Sequence, residues 1–456
     1  MDNICQVLDR FRLTIEQHHV MSARAVATSA VRDARNQDEF LRRASAAAGV
    51  PVETISGLEE SRLIHAGLQS VWPHPAGCLL IIDIGGGSAE VIVSEDGRMT
   101  AAFSKPLGAV RLKQMFLAQD PPGADALGSL HGYIDEKLAA VLKRTEKRDF
   151  TRVIATSSTA AAVISALHGL DRRAREVADR KRASTAQVER LVTELSTQTL
   201  SQRRRRPGIG PRRAEIIVGG AAVLARTLRA FGAKSVYYSV AGVRDGIIAD
   251  LASRRVGAHL ARLDKEQRRI VEAMARRFGV DVRHARKTAQ LAGALFDSLK
   301  PLHTLPAENG KLLEAAAYLV DIGHYVSDSA HHKHSQYLVA NSDLPAFTAE
   351  ERQLIAHLCR FHRKSMPSAR HISYQSLSPV NQRLVLHLVP ILRLADALDR
   401  SHDQRVDGLA VELHSDRVVI ALRSGAPTNL ELWAGGRAGE DFLQVYGLPL
   451  VLQTRK

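Results

Sequence analysis

The chain has 456 residues, a formal net charge of +15 and a pI of about 10.0, with 45% hydrophobic and 24% charged residues. The length predicts about three domains, and the composition excludes a disordered chain; no apolar run reaches membrane length. The positive excess points to a polyanionic partner: nucleic acid, an anionic membrane surface or a polyphosphorylated substrate. Aromatic residues make up only 5%, which leaves few stacking platforms for single-stranded nucleic acid. Cys5, Cys78 and Cys359 are odd in number and widely spaced, so they form neither a disulfide framework nor a CxxC metal pair. With no signal-peptide pattern, the chain reads as cytoplasmic.

Residues 1–20 are expected to be helical. Residues 26–36, VATSAVRDARN, read as a strand end, a turn and a helix start with Ser29 as N-cap, and 37–48 continue as helix. A short strand over 52–55 and a helix over 58–69 follow. Glu59 and Glu60 fall just inside that helix start, where acidic residues complement the helix dipole. One of them can equally be a general base that takes a proton from water attacking a phosphoanhydride. Residues 81–93, IIDIGGGSAEVIV, are two β-type apolar runs joined by a tight glycine turn, with Asp83 near the end of the first. Glycines there let backbone N–H groups close on an anion, and Asp83 could hold a metal ion or a water beside it. The alternative is a glycine-rich β-turn without a ligand. No Lys-Ser/Thr follows the glycines and a strand follows the turn, so neither a P-loop nor a dinucleotide fingerprint applies.

The segment 108–116 comes next, then a long amphipathic helix over 127–144 and a strand over 152–156 that ends in a hydroxyl-rich turn, 156–159. Residues 170–211 are basic and polar, and the run Arg203–Arg206 reads as an exposed loop. Residues 216–218 lead to Gly219 and Gly220 and a helix to 230, followed by a strand over 235–240 and a helix over 243–251. Arg32, Arg62, Arg212, Arg213 and Arg244 are ordinary singly; together they can clamp phosphates bidentately. Beyond residue 255 helices dominate to about 399. A β-rich tail follows, with strands at 409–413 and 418–422, and a domain boundary is placed at 254–257.

The segments TSAVRDARN, ISGLEESRLI, IIDIGGGSAEVIV, PLGAVRL, RRAEIIVGGAAVL and SVAGVRDGII, in this order over residues 21–251, resemble the exopolyphosphatase/guanosine pentaphosphate phosphatase family of the actin-like phosphotransferase superfamily. The resemblance implies an α/β fold of two ribonuclease-H-like (actin-like ATPase) domains, 1–108 and 109–254. A mostly α-helical HD-like domain, 255–400, and a small α/β, β-rich tail, 401–456, would follow. Family members begin with a hairpin of the form Asp-x-Gly-Ser-x-Ser ahead of the TSAVR segment, which here starts at Thr28, so the first domain is expected to be N-terminally truncated. The implied activity is release of orthophosphate from the end of inorganic polyphosphate. The alternatives are hydrolysis of the 5′ phosphate of guanosine pentaphosphate, and a catalytically weak polyphosphate- or RNA-binding relative. By the same resemblance Glu60 is the catalytic base, and Asp83 binds a divalent metal of the Mg2+ type or orients water. Gly85, Gly86, Gly87 and Ser88 form a phosphate loop with Glu90 beside it, Arg32 and Arg213 hold the polyphosphate, and the protein is a homodimer. The turn 156–159 matches a further phosphate loop, but Ser158 stands where the family usually has glycine, and its Cβ resists left-handed backbone angles.

The helical region resembles HD-type metal phosphohydrolases at 284–296, at 316–326 and at Asp396, with Val320 in place of the paired histidine. The ligand candidates are therefore His284, Asp321 and Asp396, one short of the usual set. A relic fold with a structural role is expected. His324, His331, His332 and His334 read as a polar helix edge that could touch phosphates when protonated, rather than as a metal cage.

Overall fold

The computed structural model describes residues 1–20, 22–72, 77–145, 148–171, 175–253 and 262–455. It divides into two compact units, Met1–Arg254 and Arg255–Lys456. The expected boundary segment, 254–257, lies outside the described residues.

The first unit opens with the helix Asp2–Gln17, then β1 (Ala25–Ala27), the helix Gln37–Ala48 and β2 (Val52–Thr54). β1 and β2 pair in parallel as a sheet of their own. Ser29 is not the cap expected of it. Thr28 takes the N-cap position of the short helix Ser29–Arg32, and the Ser29 hydroxyl donates to Asp33 at 3.3 Å. The helix Gly57–Val71 follows, capped by Ser56, whose hydroxyl accepts from the Glu59 N–H at 3.2 Å.

Six strands then build one mixed sheet: β3 (Cys78–Ile84), β4 (Ala89–Glu95), β5 (Arg98–Lys105), β6 (Phe150–Thr156), β7 (Arg182–Ser184) and β8 (Ser235–Tyr238), in the order β5-β4-β3-β6-β8-β7. β3 pairs antiparallel with β4 and parallel with β6. Residue 108 is therefore no break in the fold, since strands on either side of it are hydrogen-bonded into the same sheet. The near-continuous apolar run of β3 follows from its central place, covered on both faces. Leu80, Ile82 and Ile84 pack into a core with Leu130, Ile134, Val163 and Leu224. Ile81 turns to the other face, with Ile92 and Ile154, against Ile64 and Leu68 of the Gly57–Val71 helix. The two-residue period puts Asp83 on the same face as Ile81, toward the helix that carries Glu60.

That helix crosses the helix Val243–Ser253 at very short range. A Cβ on Gly246 would stand 1.8 Å from the Leu63 carbonyl oxygen, and one on Gly67 would stand 2.3 Å from the Gly242 carbonyl oxygen. Gly219 and Gly220, expected ahead of a helix, lie inside Ile217–Ala230, where a Cβ on Gly220 would come 2.7 Å from Thr159.

The second unit packs the helices Lys265–Arg277, Val282–Ser298, Gly310–Leu319, His331–Asn341, Ala349–Phe361 and Pro379–Ala397 around one core that includes Phe296, Leu319, Phe361 and Leu388. Val418, Ile420, Leu422 and Phe442 belong to that same core, so the tail is continuous with the helices. It forms a sheet β11-β10-β9 from β9 (Gly408–Leu413), β10 (Val418–Arg423) and β11 (Leu450–Arg455), with the helix Asn429–Tyr446 between β10 and β11. The α/β tail was expected without this helix or β11 being located; β11 lies beyond the alternating segments at 409–413 and 418–422 and pairs in parallel with β10.

Gly246→Ala forces a methyl group into a backbone carbonyl and is expected to destabilise the first unit by at least about 2 kcal/mol. Thermal or urea unfolding of the variant checks this; a transition unchanged from the parent would contradict the crossing.

Candidate active site

Three carboxylates meet where the Gly57–Val71 helix faces β3 and β4. Asp83 is the last residue but one of β3 and Glu90 the second of β4, and they are direct cross-strand partners. Burial lifts Asp83 to about 6, opposed by the Ser157 hydroxyl. Burial, then the charge of Asp83, lifts Glu60 to about 7, opposed by the Arg32 cation. Glu90 rises to about 8 through burial and the charges of Glu60 and Asp83, against hydrogen bonds from Ser104 and Ser88. Such mutual repulsion makes the three titrate as a set and leaves the pocket short of positive charge. One atom shows this directly: the buried Oε2 of Glu60 has no hydrogen-bond partner among the described residues, and the Arg32 Nη1 cation lies 3.9 Å away. Arg32 is held in place by donating to the Ile55 carbonyl at 2.7 Å.

Glu59, one residue earlier, is engaged quite differently. Arg62 donates to both of its oxygens at 2.8 and 3.0 Å and to Asp250 at 2.8 Å. Arg24 joins with Glu53 at 2.6 Å and with Glu59 and Asp250 at 3.3 Å. This buried network of two arginines and three carboxylates ties β1, β2 and the helices Gly57–Val71 and Val243–Ser253 together. It consumes Glu59 and Arg62, both open as functional candidates on sequence pattern. A helical step of 100° per residue sends Glu60 away from it, toward β3.

The glycine turn is strapped from two sides. The N–H groups of Ala109 and Val110, at the start of the helix Ala109–Phe116, donate to the carbonyls of Gly85 and Gly86 at 3.0 Å. Arg111 donates to the Gly87 carbonyl at 2.9 Å and pairs with Asp33. A Cβ on Gly108 would stand 2.2 Å from the Gly86 oxygen, and one on Gly87 would stand 2.5 Å from Ser29 Oγ. Close approach, not a left-handed backbone, is what requires glycine here. With the carbonyls taken, the amides of Gly86 and Gly87 have no acceptor among the described residues, a disposition suited to an anion.

The second hydroxyl turn begins the helix Ser157–Leu167. Ser157, not Ser158, adopts the left-handed angle, with φ +69°. Its hydroxyl and that of Thr159 donate to the Ile84 carbonyl at 2.9 and 3.0 Å, fixing the turn against the end of β3. Arg213 donates to Ser158 Oγ and lies 3.5 Å from Thr159 Oγ1. Arg24, Asp250, Ser104 and Arg111 escaped sequence reasoning as contributors; only Arg111 carried a signal, within the PLGAVRL segment.

In the second unit, His284, Asp321 and Asp396 do come together, and so do Asp321, His324 and His331. His332 is buried and His334 half-buried on the same helix, and neither belongs to either group. Among the described residues no helix is long and apolar enough to cross a membrane.

Comparison with known proteins follows the same division. The profile of the Ppx/GppA phosphatase family matches residues 1–255, and that of Ppx/GppA phosphatase, domain III, matches residues 267–431. An exopolyphosphatase-like protein of known crystal structure is 28% identical, with a TM-score of 0.51 over 55% of this chain and 83% of its own. An exopolyphosphatase from Cytophaga hutchinsonii is 26% identical, also with a TM-score of 0.51, over 56% of this chain and 82% of its own.

The two neighbouring glutamates should separate cleanly by mutation. Glu59→Gln leaves buried arginines uncompensated and is expected to cost about 3–5 kcal/mol. Glu60 has a raised folded-state value, so it contributes stability that is present below its unfolded value and lost as pH rises through about 7. Glu60→Gln is therefore expected to be at least as stable as the parent at pH 8. Denaturant unfolding at pH 8 checks both, and equal losses would contradict the assignment.

Proposed function

Because the chain belongs to the Ppx/GppA phosphatase family, and is on that ground a hydrolase, we propose that it releases orthophosphate from the end of inorganic polyphosphate. The observation that carries the reading is the unpartnered buried oxygen of Glu60, set among carboxylates that repel its ionisation. A base poised near neutrality, able to accept a proton from water, is what the hydrolytic step needs.

In this mechanism the terminal phosphate lies against the amides of Gly86, Gly87 and Ser88, with Arg32 beside it and Arg213 held near the second turn. Glu60 takes the proton of the attacking water, and the arginines and amides stabilise charge on the phosphoryl oxygens. The pocket's unmet negative charge fits a divalent cation of the Mg2+ type held by Asp83 and Glu90, and such a cation, when bound, would neutralise the leaving oxygens. The six-stranded sheet, three antiparallel strands followed by parallel β6 and β8, supports one ribonuclease-H-like domain, and the reading assigns the two-stranded β1–β2 sheet to the other, truncated one. It also supports drawing the first partition ahead of Cys78 instead of at residue 108. The HD-like domain 255–400, the tail 401–456 and a homodimer complete the reading.

The second reading, attack on the 5′ phosphate of guanosine pentaphosphate, uses the same residues. The ratio of kcat/KM on the two substrates decides between them.

Orthophosphate release from long-chain polyphosphate with magnesium is expected from the parent and to fall by about 10²–10⁴-fold in Glu60→Gln. A folded parent that binds polyphosphate without releasing phosphate would overturn the enzyme in favour of a binding protein. The acid limb of the pH profile of kcat/KM is expected near 7. Arg32 favours the ionised form of Glu60, so Arg32→Gln should move that limb to higher pH; a shift to lower pH would contradict the pairing.

A further inference from the structure

The second unit holds a basic cavity of about 560 Å³, whose walls include His332, Lys333, Arg360, Arg363 and Lys364. His332 and Lys333 begin the helix His331–Asn341, and Arg360 lies at the end of Ala349–Phe361 with Arg363 and Lys364 just beyond it. Among the described residues no carboxylate pairs with Lys333, Arg360, Arg363 or Lys364. Asp328, the carboxylate in the wall, turns to His324 at 2.7 Å instead, with its side chain 93% exposed. Arg363 finds only the ring of His331, at 3.3 Å. Burial pulls the Arg360 guanidinium below the usual arginine range, with no neighbouring negative charge to raise it again.

Two buried nitrogens of the wall are the independent observation. His332 is 5% exposed, and its buried Nδ1 has no hydrogen-bond partner among the described residues; neither has the buried Nη1 of Arg360. A buried donor left unsatisfied costs about 1–3 kcal/mol, so two in one wall point to an acceptor that the chain does not supply. The helix His331–Asn341 adds the positive end of its dipole. Its N-cap is Ala330, held at φ +56°, and alanine has no side-chain oxygen to occupy the first N–H groups. The positive end of the helix, the unpaired cations and the unsatisfied donors therefore converge on one space.

We propose that this cavity binds a single phosphate group, either as the free ion or at the end of a small phosphomonoester. Phosphate carries enough charge and enough oxygens to engage guanidinium forks, ammonium groups and helix N–H groups together, which a lone carboxylate does not. The volume lies in the range of small-molecule sites. Arg360 is the fixed anchor, its guanidinium carbon 5.4 Å from the centre of the buried Phe361 ring. Lys333, Arg363 and Lys364 are exposed and supply the outer charge. The inference concerns binding, and it does not depend on the hydrolytic site of the first unit.

The test is calorimetric titration of the full chain with potassium phosphate, against potassium chloride of equal ionic strength. The chain carries Arg32→Gln, which removes a cation from the proposed first-unit site. Saturable binding is expected with phosphate alone. It should weaken at least about tenfold on adding Arg360→Gln, and at least about threefold on adding Lys333→Gln or Arg363→Gln. Unfolding curves without phosphate show which variants fold; Lys333 and Arg363 are exposed, so their variants carry the test if Arg360→Gln does not fold. Methyl phosphate separates the two sources: tighter binding than phosphate identifies an ester, weaker binding the free ion. Absence of saturable binding, or binding that the folded variants leave unchanged, overturns the proposal.

Discussion

The first unit depends on one crossing of two helices. Gly67 and Gly246 let the helices Gly57–Val71 and Val243–Ser253 approach to backbone contact, and the buried network of Arg24, Glu53, Glu59, Arg62 and Asp250 locks them there. Everything chemical in the unit takes its position from this. The helix is pinned by one glutamate, so that the next can face β3 with an oxygen left unpartnered. Ion networks of this kind add little net stability against an apolar equivalent, but they cannot be half-made, and so they fix register strictly.

The opposite condition holds a few ångströms of chain away. Where Glu59 is compensated by arginines, Glu60, Asp83 and Glu90 are set against each other, and burial makes each hold its proton more tightly. Adjacent residues of one helix thus sit in two electrostatic regimes, one satisfied and one deliberately short of positive charge. The second unit shows the same contrast: Arg393 is satisfied by Asp441 and the Phe361 carbonyl, while Asp321 and Asp396 gather around an imidazole whose inward nitrogen is unbonded.

How much of this could be read in the sequence follows from the range of the interactions. The glycine hairpin, Asp83 near its edge and the helix over 58–69 are local patterns, and they were readable as strands, turn and helix, although the Ser56 cap was not. Glu59 and Glu60 were indistinguishable, because what separates them is an aspartate 188 residues from Arg62 and an arginine 35 residues from Glu59. Gly67 and Gly246 read as weak helix formers until the second helix is laid across the first. The left-handed residue of the second hydroxyl turn was placed one position late, at Ser158 instead of Ser157. The histidines after Asp321 read as a polar edge because their shared target lies on no one helix face; only the fold shows that Asp321 divides its two oxygens between separate partners.

Arg111 has a role larger than its two contacts. By holding the Gly87 carbonyl and Asp33 together, it makes the amide-bearing turn and the segment carrying Arg32 a single mechanical piece. On the proposed reading, a phosphate entering between them would meet dipoles already aligned, so little solvent-like reorientation would accompany its arrival. On that reading, selectivity among phosphate chains would come from their onward path beyond this rigid mouth, and changes of chain-length preference would map to the surface farther along and spare the mouth itself.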